Sequence, residues 1–477
     1  MLRPTVPVRF LARVGLSWMA AGAACSAPPS RAASTDIGAL QPGGADARAV
    51  DAAPCATGGP AALARYLAAP NPAFRWRTVS ERVAAEGTVL EIELVSQRWH
   101  GKPWTHRLLV FLPAAPAFGD VALLSLRQGT SGPADAAALQ AISRATREAS
   151  AFLFDVPNQP IFDGREEDPL LAYTFAQFLR TGDESWPLLV PMVASAVRAM
   201  DVIQSLRRGG EAPRIARFVV AGHSKRGHTA WLTGAADPRV AGIIPIASDV
   251  LNSPAQIAHH RAVAGVISGS SGVFAETIAA AESPRGRCLL SMIDPYAQRD
   301  RLTAPKLIVL ASNDDYTPAD ALNLYWDGLP GEKSVLYLPN ASHQQASAHP
   351  DVNTSAFAFV RAVASRSPMT ALHLTLDVAA GSARLRVTSR AGARAARLWV
   401  STSRTRDFRA ARWTAVAMRA VETGPEGTTY VGAVARPGSE HLAVFGEVEI
   451  EAGESTFKLS TPMRVVSGTK RDEPKTE

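Results

Sequence analysis

Cysteine is scarce in this chain, with three residues in 477. No Cys or His cluster has the spacing of a metal site, so no metal and no other cofactor is expected. Charge is also thin. Charged residues make up 19% against 47% hydrophobic ones, a globular composition that excludes disordered and fibrous classes. The formal net charge of +7 is small and dispersed, which speaks against a nucleic-acid partner. After the first thirty residues no apolar run is long enough to span a bilayer.

What is present begins at the N-terminus. Arg3, Arg9 and Arg13 precede an apolar stretch from Val14 to Ala24, with no acidic residue before Asp36. A basic start, a short apolar run and small residues near a cut are the layout of a secretory signal, assigned here to residues 1–26. The run falls well short of the roughly 20 residues that a spanning helix needs. Cys25 follows Gly22-Ala23-Ala24, which loosely resembles a lipoprotein processing box, although Gly22 stands where a large aliphatic residue is usual. A lipid anchor at Cys25 is the one membrane attachment offered, with plain cleavage as the alternative. A periplasmic or secreted location is expected in either case. In such an oxidising compartment Cys55 and Cys288 are an even pair open to bridging, two buried thiols being the alternative.

Length favours two domains. Residues 27–60 are rich in Ala, Gly, Pro and Ser and read as a flexible lead-in. From 89 to 113, two apolar runs around Gly101-Lys102-Pro103 read as a β-hairpin. Strands are expected at 121–126, 151–156, 217–221, 242–247, 306–311 and 334–338, with helical or loop segments after them. An antiparallel hairpin followed by strand–helix units implies a mainly parallel sheet covered by helices on both faces, over residues 61–367. After Ser367-Pro368 short alternating stretches separated by turns predict a C-terminal β-sandwich-like domain over 368–466. Residues 467–477 read as a frayed tail.

The sharpest chemical signal is Arg217-Phe-Val-Val-Ala-Gly-His-Ser224-Lys-Arg-Gly227, followed by an apolar helix. A buried strand that turns abruptly into a helix can present a serine oxygen at the sheet's edge, and small residues must flank it. Gly222 supplies one; the usual glycine two positions after the serine is Arg226, with Gly227 one later. Downstream, one expected strand ends in Ser312-Asn313-Asp314-Asp315 and the next in Pro339-Asn340-Ala341-Ser342-His343. Serine, acid and histidine after successive core strands, in that order, predict an α/β-hydrolase triad of Ser224, Asp314 and His343. Asp249 and Asp315 are alternative acids. His223, His228, His259, His260 and His349 are alternative bases, read instead as packing, surface or loop residues. The oxyanion needs two donors: the Lys225 backbone N–H, and Gly129 or Thr130 in the loop after 121–126. Glu166, Glu167 and Asp168 open the helical region over the site. They are candidates for gripping a substrate's amino group, or are simply helix-terminal acids.

These residues resemble the PhoPQ-activated pathogenicity-related protein family. The likeness rests on Gly222-His-Ser-Lys-Arg-Gly, Trp231-Leu-Thr, Asp237-Pro-Arg-Val240, Asp249-Val-Leu-Asn252 and Val156-Pro-Asn-Gln-Pro160. It continues through Leu329-Pro-Gly-Glu-Lys333 and Arg406-Asp-Phe-Arg409. It implies an α/β-hydrolase with a C-terminal β domain, and it places the triad on the same three residues. Ser312-Asn313 stands where Thr-Gly is typical and Tyr316-Thr317 where two aromatics are typical, which makes Tyr316 a candidate substrate contact. The basic residue after the serine is similar to carbohydrate esterases of the glucuronoyl type, at the elbow alone.

Two function classes follow. The first is an exported serine hydrolase cleaving an ester or amide of a small molecule or peptide. The second is a binding or signalling protein that keeps the fold without turnover.

Overall fold

In the computed structural model, residues 59–206, 214–265, 269–390, 392–436, 438–452 and 455–468 are described. The expected signal and the lipid-anchor cysteine lie outside them, as do nearly all of the lead-in and the tail from 469. Helix α1 (Gly59–Ala68) leads into β1 (Arg75–Ala84), β2 (Gly87–Trp99) and β3 (Lys102–Pro113), an antiparallel run. The β2–β3 turn is His100-Gly101, with φ of 42° and 78°. Two positive φ values suit the right-handed twist of a two-residue hairpin. Pro103 therefore sits inside β3, opposite Arg98, and not in the turn.

The strand–helix alternation follows. Its elements are β4 (Val121–Leu126), α2 (Pro133–Thr146), β5 (Ala149–Leu153), α3 (Glu167–Thr181), α4 (Leu189–Ser205), β6 (Arg217–His223), α5 (Lys225–Ala236) and β7 (Val240–Ile246). Then come α6 (Ser253–Ala264), α7 (Ala275–Ala279), α8 (Pro284–Ile293), β8 (Lys306–Asn313), β9 (Lys333–Ser342), α9 (His343–Ala346) and α10 (Pro350–Ser365). The sheet order is β1-β2-β3-β5-β4-β6-β7-β8-β9, and β5 through β9 run parallel to one another. Every residue of β4 and β5 is buried, as expected of strands covered on both faces. Alternate side chains of β6 serve opposite layers. Phe218 and Val220 pack with Val193 and Trp231 on one side, while Val219 and Ala221 pack with Leu139 and Phe359 on the other. This is the α/β-hydrolase fold.

The remaining strands are β10 (Leu372–Val378), β11 (Ser382–Ser389), β12 (Ala393–Ser403), β13 (Thr414–Ala417), β14 (Arg419–Gly424), β15 (Gly427–Ala435), β16 (His441–Ala452), β17 (Ser455–Ser460) and β18 (Arg464–Val466). Strands β10-β11-β15-β14 form their own sheet. It packs Leu385, Val387 and Tyr430 against Leu398, Val448 and Ile450, in the manner of a sandwich. The opposing layer, β17-β16-β12-β13, is not separate: it extends the central sheet beyond β9. The junction is narrow. Ser460 pairs with Val335, and its hydroxyl accepts from the Tyr337 N–H at 3.0 Å. Aromatic side chains fill the seam, with Phe445 against Tyr337 at 5.0 Å and against Trp413 at 5.3 Å between ring centroids. Trp413 and Phe408 are buried, so they do not present an exposed aromatic face. Cys288 of α8 is disulfide-bonded, and both other cysteines fall outside the described residues.

Candidate active site

The elbow is built by the backbone. At the end of β6 the chain reverses into α5 through Ser224, whose φ of 57° and ψ of −127° are unusual for any residue with a side chain. Such conformations persist only where surrounding structure enforces them. Here the Ser224 N–H is held by the Ile246 carbonyl of β7 at 2.8 Å. A Cβ at position 222 would lie 2.4 Å from the Arg226 backbone, and one at 227 would meet the Ser248 side chain at 2.8 Å. Both glycines are therefore required by close approach. Arg226, in the place where glycine is usual, sends its buried side chain away from the turn to the Val156 carbonyl and the Glu167 carboxylate.

Three elements bring the expected residues together. The Ser224 hydroxyl lies 3.0 Å from His343 Nε2, and His343 Nδ1 lies 2.8 Å from Asp314 Oδ2. Asp314 follows β8 and His343 follows β9, both at the sheet edge where β6 ends. The other Asp314 oxygen accepts from the Tyr316 N–H at 2.9 Å, which restrains the carboxylate's orientation toward the imidazole. Two rings press on His343: Tyr316 at 4.4 Å and His223 at 4.9 Å between centroids. His223 Nε2 also donates to the His343 carbonyl at 2.9 Å. Burial pushes His223 down to about 3, so it is a neutral donor.

The rival residues have other engagements. Asp249 is buried after β7 and lines the cavity that also holds Ser224 and His343. Burial pushes its carboxyl up to about 7, and the neighbouring charge of Asp314 adds to this. The Asp315 carbonyl accepts from Arg409. His228 bonds the Ile293 carbonyl, and His259 pairs with Asp320 at 2.6 Å. His349 caps α10 at Pro350, its Nδ1 accepting from the Asp351 N–H. His260 faces the cavity.

A buried Ser–His contact that the sequence did not suggest links Ser96 Oγ to His106 Nε2 at 3.0 Å and to Ser195 Oγ at 3.1 Å. His106 Nδ1 meets the Phe154 carbonyl where a triad would hold an acid. Burial pushes this imidazole down to about 4. All three side chains are closed off from solvent, so the cluster works as polar glue between β2, β3 and α4.

For the oxyanion, Lys225 opens α5, and the first N–H groups of a helix lack intrahelical partners. Leu126 lies opposite Gly222 in the sheet, so the loop carrying Gly129 and Thr130 leaves the sheet beside the elbow. Gly129 has φ of 63° and its carbonyl accepts from the Asp155 N–H. The acidic cluster is engaged internally. Lys225 Nζ reaches Glu167 at 2.6 Å and Asp168 at 2.7 Å, and Asp168 accepts from the Tyr316 hydroxyl at 2.6 Å. Glu167 also bonds Gln159 and Arg226. Burial alone would raise Glu167, yet Arg226 and Lys225 hold it well below the usual carboxylate range. Glu166 occupies the N-cap position of α3 without a side-chain cap bond. Among the described residues, no His/Cys/Asp/Glu group is arranged to hold a metal, and no helix is long and apolar enough to cross a membrane.

The model of the family described as PhoPQ-activated pathogenicity-related protein matches residues 63–409. Autocrine proliferation repressor protein A of Dictyostelium discoideum is 29% identical over 327 residues, covering 64% of this chain and 65% of that protein. The chain thus spans just under two thirds of that relative's length. Among solved structures, an acetyl xylan esterase from Paenibacillus sp. R4 aligns at 15% identity and a TM-score of 0.45, over 64% of this chain and 92% of its own. A glucuronoyl esterase from Solibacter usitatus aligns at 15% identity and a TM-score of 0.36, over 64% and 91%.

Proposed function

The chain belongs to the PhoPQ-activated pathogenicity-related protein family, and we propose that it works as a serine hydrolase cleaving an ester or amide outside the cytoplasm. One observation carries the reading: a continuous hydrogen-bonded path from Ser224 Oγ through His343 to Asp314, with steps of 3.0 and 2.8 Å. A hydroxyl is a weak nucleophile until a base takes its proton as it attacks. In the proposed cycle His343 Nε2 accepts the Ser224 proton while Oγ bonds the substrate carbonyl carbon. Asp314 keeps the Nδ1–H tautomer and stabilises the imidazolium. Charge collects on the former carbonyl oxygen, which the Lys225 N–H and an N–H of Gly129 or Thr130 would receive. Collapse breaks the bond to the leaving alkoxide or amine, which takes the proton from His343. Water then repeats the sequence on the acyl-serine, giving a carboxylic acid and free Ser224.

The carboxylates Glu167 and Asp168 are best read as holding Lys225 and Arg226 in place, since their oxygens already have partners. The test is labelling of the purified protein with a fluorophosphonate. Ser224 should be the modified residue, and Ser224→Ala should remove the label. A label that survives in that variant would move the nucleophile elsewhere. A well-folded wild type that takes no label would favour the non-catalytic class.

A further inference from the structure

The cavity beside Ser224, about 240 Å3, is mostly apolar. Leu171 and Phe175 of α3, Ile257 of α6 and Phe274 wall it. Among the polar side chains that interrupt that lining are Ser248, Gln256 and His260. Ser248 is 2% exposed and His260 7% exposed. Ser248 Oγ, Gln256 Oε1 and His260 Nε2 are buried and have no hydrogen-bond partner among the described residues. Buried polar atoms are almost always bonded, and one that is not requires an explanation. Three such atoms around one cavity that also contains Ser224 and His343 point to a ligand.

The local architecture supports this. Gln256 and His260 lie four residues apart on α6 and so project from one face of the helix. The adjacent His259 is taken by Asp320. The Gln256 amide has a fixed orientation, because its Nε2 donates to Asp249 Oδ1 at 3.4 Å and to the Leu251 carbonyl at 3.3 Å. Its Oε1 is left as an acceptor and can be satisfied only by an O–H or N–H. An alkyl chain has none.

We infer that Ser248, Gln256 and His260 form a specificity subsite for a hydroxyl or amide N–H on the part of the substrate that fills the cavity. The inference rests on the reading of Ser224 as nucleophile and adds the substrate's chemistry to it. A substrate that is merely aliphatic strands three buried polar atoms; a hydroxylated or N-acylated one bonds them. Sites built to bond a hydroxyl reject analogues that lack it far more strongly than apolar pockets reject an extra methylene.

The experiment compares kcat/KM for matched esters on the full chain. One arm sets p-nitrophenyl 3-hydroxybutyrate against p-nitrophenyl butyrate, and the other sets the acetate of a diol against the acetate of the matching simple alcohol. The first arm reports an acyl-side occupant and the second a leaving-group occupant. A preference of about tenfold or more for the hydroxylated partner is expected in one arm. That ratio should fall towards one in Gln256→Leu and, independently, in His260→Phe, with fluorophosphonate labelling of each variant reporting an intact site. Hydrolysis without hydroxyl preference in either arm overturns the subsite, since water in the cavity would then satisfy these atoms. A preference that survives both substitutions overturns it as well. Absence of both hydrolysis and labelling overturns the nucleophile reading, and this inference with it.

Discussion

Asn340 and Trp413 are joined by a reciprocal clasp: the Asn340 amide donates to the Trp413 carbonyl at 3.0 Å and accepts from the Trp413 N–H at 2.8 Å. Asn340 lies three residues before His343, so the segment that carries the base is tied to the C-terminal β region. Asn313, immediately before Asp314, makes a parallel tie to the carbonyls of Arg409 and Ala411. The last β region thus braces the acid and histidine loops and presents no acid, base or nucleophile of its own to the cavity.

Asn340→Ala should therefore weaken folding and activity together. Asn340 has φ of 60°, which asparagine tolerates better than alanine. A loss of about 1–2 kcal/mol is expected from the broken bonds and the left-handed backbone, read by denaturant unfolding, with a reduced kcat. Asn340→Gly loses the clasp but not the backbone fit, so it should cost less. Equal stabilities for Ala and Gly would argue that the clasp alone matters.

Asp314→Asn should lower turnover by about 10⁴, as loss of the group holding the imidazole tautomer does. Asp249→Asn should cost far less, because Asp249 bonds Gln256 and not His343. The two variants assayed side by side on an activated ester decide the assignment, and the reverse ranking would make Asp249 the acid.

Asp249 predicts a pH effect on stability. Burial pushes its carboxyl up to about 7, whereas in an unfolded chain it ionises near 3.9. The folded state then holds this proton more tightly. The group's contribution to stability is fully favourable below about pH 4, declines through the window from about 4 to 7, and is flat above it. Asp249→Asn removes the decline. Melting temperatures of variant and wild type should converge at pH 4, with the variant higher by several degrees at pH 8. An offset that does not change with pH would contradict the shift.

Glu167 has the opposite sign. Lys225 and Arg226 hold it below its ordinary range against the opposing effect of burial, so its stabilisation is complete above about pH 4.3, the unfolded value. It is lost only as pH falls through the lower folded value. Glu167→Gln leaves two buried cations short of a partner, and with partial exposure discounting the effect we expect a loss of about 1–3 kcal/mol at neutral pH. The gap to wild type should shrink on acidification below about pH 4, measured by urea unfolding. A gap that widens there would show that the ion pairs are not its source.

Much of this molecule was legible along the chain because its signals are local. Largely apolar runs marked β4 and β6, since strands covered on both faces have no polar side to show. Gly222, Ser224 and Gly227 announced the elbow, because only small residues clear backbone packed this closely. Asp314 and His343 could be placed because each follows a core strand in the expected order. The hairpin was legible too, though its turn fell at His100-Gly101, two residues short of Pro103.

What the sequence left open depends on partners distant along the chain. Nothing local says that β17 will meet β9 through Ser460 and Val335 and carry the central sheet onward, because an edge strand's partner is chosen by where the whole fold brings it. The same holds for Glu167, which read equally well as a substrate grip or a helix-terminal acid until Lys225 and Arg226, almost sixty residues away, closed on it. Residue types and order determined which groups the chain could bring to chemistry. Tertiary packing alone decided which polar atoms were already satisfied and which, as at Ser248, Gln256 and His260, were left facing a cavity, because satisfaction of a buried polar atom depends on its spatial neighbours and not on its neighbours in sequence.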